Sequence, residues 1–347
     1  MDGNFQLIAH LEDLIADHGP IPFSEYMETV LYHPEHGYYC RELNPIGSRG
    51  DFYTASSLDP AMGQLLAGLF ERMEAHIPDF ALVELGAGTG LLARQILETR
   101  PFPYVIVERS LPMRERQREM LRDFDIEWRD DLPEDIRGCV FSNEFFDALP
   151  VRRFTLKNNR LREYFVAEGL VETEGDPSVP VDLPLLAEGA VADISLDARE
   201  WVGRIGRSID VGYHLAIDYG YLERELFRRT SGTLMCYLDH QVDENPYAHV
   251  GLKDITAHVD FSDLIEFGGR GGLKTRGFCS QREFLVDLGL LDLIAALIER
   301  GDPASIGRVQ ALKTLLLPPM MGDRFKVLLQ RKGILEGDLG CFRDGGV

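Results

Sequence analysis

The run Ala81-Leu82-Val83-Glu84-Leu85-Gly86-Ala87-Gly88-Thr89-Gly90-Leu91 constrains the fold more than any other part of the chain. An apolar strand from Phe80 to Leu85 enters a turn with glycine at every second position, and Leu91 to Glu98 then reads as a helix. Gly86 permits a tight turn at little steric cost, Gly88 lets a ligand approach the backbone, and Gly90 allows helix and sheet to pack closely. The helix N-terminus beyond the turn favours an anion such as a carboxylate. The spacing discriminates among nucleotide-like ligands. A dinucleotide fingerprint is G-x-G-x-x-G, but here the third glycine comes one residue early and Leu91 takes its place. A P-loop needs Gly-Lys-Ser/Thr, and none is present. S-adenosylmethionine (SAM) fits better: its carboxylate suits the helix N-terminus and its ammonium suits Glu84. The plain alternative is a glycine-rich turn that holds no ligand.

The segments that follow extend this reading. A second strand, Tyr104 to Glu108, ends in an acid 24 residues after Glu84, placed to accept both ribose hydroxyls. Asp131, after a short third strand at Ile126 to Arg129, is a candidate for the adenine amino group. A fourth strand, Cys139 to Ser142, ends at Asn143, and further strands are expected at His214 to Asp218, Gly272 to Phe278 and Phe325 to Gln330. Strands alternating with helices imply a parallel, doubly wound α/β sheet. The expected fold is a Rossmann-like sheet with an N-terminal helical extension and an inserted α+β substrate region. The expected divisions are 1–76 for the helical and loop extension, 77–150 for the first half of the core, 151–200 for a β-rich insertion, and 201–335 for the second half, with substrate-binding segments at 219–271. Helices are expected at Phe5 to Asp17, from a Ser24 cap through Val30, and at Leu58 to His76. Residues 33–54 read as a long ordered loop, a kind that is often functional, and 219–251 as another long, mostly polar segment.

Composition narrows the partners. Asp and Glu number 57 against 36 Lys and Arg, a net charge of −21. That charge repels a phosphate backbone, so no nucleic-acid partner is expected and a cationic one is favoured. Five cysteines, odd in number and without C-x-x-C, read as reduced thiols. His33-x-x-His36 is the one close histidine pair and lacks a second cluster, so no metal is expected. No apolar run reaches the roughly 18–20 residues of a membrane span. Met1 to Asp17 carries no Lys or Arg, which argues against a signal or transit peptide and sets the expectation of a cytoplasmic location.

Several runs, in order, carry a family resemblance: Gly19-Pro20-Ile21-Pro22-Phe23, Tyr32-His33-Pro34 with Gly37-Tyr38-Tyr39, Gly50-Asp51-Phe52-Tyr53-Thr54, the Glu84 loop, Asn143-Glu144-Phe145-Phe146-Asp147-Ala148-Leu149-Pro150, Asp218-Tyr219-Gly220, Asp254-Ile255-Thr256-Ala257-His258-Val259-Asp260-Phe261, and Met321-Gly322-Asp323-Arg324-Phe325-Lys326-Val327. Over about residues 20 to 330 the chain resembles the MidA-type, complex I assembly class of SAM-dependent methyltransferases. The resemblance implies methylation of a protein arginine. Without a recognisable transit peptide, the chain looks like a bacterial relative.

The run after the fourth strand is the candidate target site, because the carboxyl edge of such a sheet is where ligands bind. A guanidinium is a poor nucleophile while protonated, with a pKa above about 12. Carboxylates can orient it and draw its charge away from the attacking nitrogen. Asn143, Glu144 and Asp147 are the candidates for this role. Asn143 also reads as a helix cap, and Phe145 and Phe146 read as core. Asp51 and Thr54 are candidates for a lid over SAM, or for a plain turn. Asp260 reads equally as a cap, and His258 as structural. The candidate cofactor contacts are therefore Glu84, Gly86, Ala87, Gly88, Gly90, Glu108, Asp131, Asp51 and Thr54. A small-molecule methyltransferase and a SAM-binding assembly factor without turnover are the competing functions. A homodimer is compatible with the sequence and not decided by it.

Overall fold

The computed structural model describes residues 3–40, 55–183, 185–238, 241–243, 245–317, 321–333 and 337–342. The chain forms two compact units, each assembled from three segments: Met1–Phe52, Phe146–Trp201 and Gly220–Leu264 in one, and Tyr53–Phe145, Val202–Tyr219 and Ile265–Val347 in the other.

The second unit is built on seven strands: β1 (Ala81–Leu85), β2 (Tyr104–Val107), β3 (Ile126–Arg129), β4 (Ile136–Asn143), β5 (Ile209–Tyr221), β6 (Lys274–Ser280) and β7 (Phe325–Lys332). Their order across the sheet is β3-β2-β1-β4-β5-β7-β6. Neighbours from β3 to β5 are parallel, and β7 is antiparallel to both β5 and β6. This is the Rossmann-like sheet that the alternation of strand and helix predicts. The chain winds outward from β1 to β3 and then returns to the other side of β1, so the order reverses between β1 and β4. Ligands of open α/β sheets bind outside the carboxyl ends at such a reversal. The register brings the functional candidates to that edge. Leu85 pairs with Val107 on one side and Ser142 on the other, and Asn143 pairs with Ile217. Gly86, Glu108, Asn143, Glu144 and Asp218 therefore stand in one row.

Both faces of this sheet are covered, so its central strands are apolar without alternation. Leu82, Ile106, Phe141, Leu215 and Ile217 share a core with Leu66 and Phe70 of the helix Ala61–Glu74 and with Ile96 of the helix Leu91–Thr99. A Cβ at Gly63 would lie 2.4 Å from that of Gln95, so glycine is what allows these two helices their close approach.

The first unit is antiparallel. Arg160–Ala167 pairs with Ile21–Pro22, Arg152–Lys157 and Val171–Gly175, and Val191–Ile194 pairs with Arg152–Lys157. A second sheet orders Gln241–Asp243, Leu234–Leu238 and Asp254–Ala257. The polar segment expected at 219–251 therefore contains strands, because the run Leu234-Met235-Cys236-Tyr237-Leu238 puts Cys236 into a core with Tyr26, Met27 and Ile255. The helix expected from a Ser24 cap spans Phe23–Tyr32 instead. Pro22 occupies the cap position and no side chain caps it. Asn4 caps the first helix, Phe5–His18, accepting from the amides of Gln6 and Leu7.

Candidate functional site

All three loop glycines adopt left-handed backbone, with φ of +60° at Gly86, +53° at Gly88 and +81° at Gly90. Side chains would strain each of them. The Gly86 amide continues the ladder by donating to Val107 O at 3.0 Å, and the Gly90 amide closes the turn onto Ala87 O at 2.8 Å. A Cβ at Gly86 would lie 2.8 Å from the ring of Phe145, and one at Gly90 would lie 3.2 Å from Leu121. The helix Leu91–Thr99 starts at Gly90 with no side-chain cap, so its first amides can bind an anion. This cradle fits the methionine carboxylate of SAM.

The acids take distinct settings. Glu84 is 2% exposed and accepts the Tyr104 hydroxyl at 2.8 Å. Burial pushes its carboxyl up to about 7 against the opposing effect of that hydrogen bond. A buried carboxyl of this kind gains most from a cation brought beside it. Glu108 accepts the Ser110 amide at 2.9 Å and the Gln117 side-chain amide at 3.2 Å. Burial raises its pKa, and those two donors, with Arg109 and Arg114, oppose the rise. Asp131 is exposed and pairs with Arg204. Its neighbour Asp130 pairs with Arg114, which also donates to Glu108 O at 2.5 Å. Asp51 and Thr54 lie outside the described residues.

At the end of β4, Asn143 Nδ2 donates to Glu144 Oε1 at 2.9 Å. Glu144 is a non-glycine residue in left-handed backbone, φ +56°, anchored by its amide to Ile217 O at 2.9 Å. Such strain in a residue at the ligand edge points to function. The next amide, Phe145 N–H, donates to buried Asp218 at 3.1 Å. No continuing helix follows Asn143, so its side chain is not a helix cap. Phe146 is core, whereas Phe145 is only partly buried.

Asp147 belongs to the first unit. It is 3% exposed, and its carbonyl accepts the Ala257 amide at 2.9 Å. Nearby, Tyr32 donates to Ala148 O at 2.9 Å and Tyr39 donates to Asp254 at 2.8 Å. Burial first, and then the charges of Asp254 and Asp147 among its neighbours, hold the Tyr39 hydroxyl well above its usual range. Asp260 caps the helix Phe261–Arg270 by accepting the Ser262 amide at 2.8 Å, and the ring of His258 lies 5.6 Å from that of Tyr221.

Sequence reasoning missed Gln117 and Trp128. Gln117 lies in the run Arg114-Glu115-Arg116-Gln117-Arg118-Glu119, where a polar residue reads as solvated. The available signal was its phase: Met113, Gln117 and Leu121 recur every four residues, on the buried face of a helix.

Residues 61–279 match the family described as "Putative S-adenosyl-L-methionine-dependent methyltransferase". The chain belongs to this family. It is 29% identical to the "Protein arginine methyltransferase NDUFAF7, mitochondrial" of Danio rerio over 93% of its own length and 86% of the relative's. It is 28% identical to the human protein of that name, covering 92% of this chain and 82% of that one. A crystal structure of a Burkholderia thailandensis protein bound to S-adenosyl-homocysteine superposes with a TM-score of 0.90 at 32% identity, covering 98% of this chain and 95% of that one. The chain is a SAM-dependent methyltransferase with a Rossmann-like sheet, as the glycine loop and the family resemblance led one to expect. The expectation of a cytoplasmic location is corrected: the curated relatives from Danio rerio and human are named as mitochondrial proteins. No helix among the described residues is long and apolar enough to cross a membrane.

Proposed function

We propose that the chain transfers the methyl group of SAM to a guanidine nitrogen of arginine in a protein substrate. The observation that carries this reading is the strained Asn143–Glu144 pair. Glu144 fixes the Asn143 amide through Nδ2, and the buried Oδ1 of Asn143 has no hydrogen-bond partner among the described residues. A carbonyl oxygen held in this way accepts an N–H of the acceptor and turns its nitrogen lone pair toward the methyl group. The Glu144 carboxylate draws the positive charge toward the other guanidine nitrogens. The names of the relatives support arginine as the acceptor, and the charge of −21 favours a basic protein segment.

The sulfonium supplies an activated methyl group. As nitrogen bonds to that carbon, the S–C bond breaks, its electron pair stays on sulfur, and the alkylated nitrogen gives up one proton to solvent water. Positioning dominates such a displacement and contributes about 7–11 kcal/mol, so these residues act mainly by alignment. In the cofactor site, the first amides of the helix Leu91–Thr99 would receive the SAM carboxylate, Glu84 its ammonium, Glu108 the ribose hydroxyls and Asp131 the adenine amino group.

Glu144→Gln keeps size but removes the charge. Because charge-assisted hydrogen bonds are about twice as strong as neutral ones, turnover on an arginine-bearing protein should fall about tenfold or more. Affinity for S-adenosylhomocysteine, measured by calorimetry on the same preparation, should hold. Normal turnover with weakened cofactor binding would place Glu144 in the cofactor shell instead.

A further inference from the structure

Gln117 is fully buried, on the helix Leu111–Met120, and both its amide nitrogen and its carbonyl oxygen are engaged in hydrogen bonds. Its Oε1 accepts the indole N–H of Trp128 at 3.1 Å. Its Nε2 donates to Gly88 O at 2.9 Å and to Glu108 Oε2 at 3.2 Å. Chemistry fixes which way round the amide stands. An indole nitrogen can only donate, and a carbonyl and a carboxylate can only accept, so a flipped amide would oppose all three partners. The three partners lie on β3, in the loop after β1 and in the segment after β2. One side chain therefore ties together the carboxyl ends of three successive strands.

We propose that Gln117 is a positioning residue of the SAM site, holding the glycine loop and the ribose-binding carboxylate in one frame. Ser110 N–H aligns the other oxygen of Glu108 at 2.9 Å, so Gln117 and Ser110 together leave that carboxylate one orientation. The charged groups that act on Glu108 are Arg109 and Arg114, and Arg114 is itself paired with Asp130. Arg118 lies over the far partner, 5.4 Å from the Trp128 ring. Among the uncharged groups, the Gln117 donor favours the ionised carboxylate that two ribose hydroxyls require.

The test is calorimetric titration of the full chain with S-adenosylhomocysteine across pH 5 to 9. Gln117→Met keeps the length of the side chain and removes its donors. It should weaken binding about tenfold at neutral pH and move the acidic limb of the affinity profile upward by about half a pH unit or more. In a Glu108→Gln background the same substitution should produce no such shift. Wild-type binding by Gln117→Met overturns the inference. So does an equal loss at every pH with an unmoved limb, which is what a merely structural residue would give. So does a shift that persists without Glu108. Should Gln117→Met fail to fold, Trp128→Phe removes the indole donor that orients the amide and should shift the limb in the same direction. A limb that Trp128→Phe leaves in place counts against the proposal. Failure of the wild-type chain to bind the ligand would defeat the cofactor assignment itself, and the inference with it.

Discussion

At residue scale, two positions respond to substitution for different physical reasons. Gly88 stands at φ +53°, where a β-branched side chain is strained and projects toward the space a ligand backbone approach requires. Gly88→Val should abolish detectable S-adenosylhomocysteine binding while circular dichroism still shows a folded chain. Normal binding would remove the loop from the cofactor site. Glu84 acts through its proton. Burial raises it to about 7 from the ordinary 4.5, so the folded state holds the proton more tightly than the unfolded state does. Its contribution to stability is complete below about 4.5 and is lost as pH rises through about 7. The melting temperature of the unliganded chain should therefore decline across this window more than that of Glu84→Gln, by a few degrees or so. Cofactor affinity should run the other way, rising with pH through about 7 as the carboxylate that receives the ammonium forms. Parallel pH profiles for the two proteins would show that Glu84 does not titrate in this range.

At the scale of elements, the glycine turn and the sheet were legible because each rests on local chemistry. A strand, alternate glycines and a helix follow one another within eleven residues, and the acid at Glu108 closes the next unit. The antiparallel unit was harder to read. Arg153, for example, joins Asp193 at 3.0 Å and Glu172 at 2.9 Å, partners distant in sequence that no periodicity connects. The chain crosses between units inside the helix Leu196–Ser208, inside β5 and inside the helix Phe261–Arg270. Composition does not shift at those points. Gln117 escaped because its partners lie on other strands. The turn after β4 depends on such a distant anchor too, since Asp218 at the end of β5 accepts the Phe145 amide. Asp218→Ala leaves that amide without its charged acceptor and should cost about 1–3 kcal/mol, read as a lower denaturant midpoint at constant slope. An unchanged midpoint would mean that the turn holds without it.

At the scale of the whole molecule, the charge of −21 shapes encounter more than affinity. A basic protein substrate should associate more slowly as salt rises, because screening shortens the reach of this field to about 10 Å at 0.1 M. Stopped-flow association rates that ignore salt would count against a basic acceptor segment. The acceptor is the central claim, and it can be read directly. The purified chain is incubated with SAM carrying an isotopically labelled methyl group and with an extract of cells deleted for the gene, and the proteins are then analysed by tandem mass spectrometry. The account predicts labelled methylarginine at one or a few protein sites, absent when Glu144→Gln replaces the wild type. Label confined to lysine, to another residue or to small molecules would contradict it.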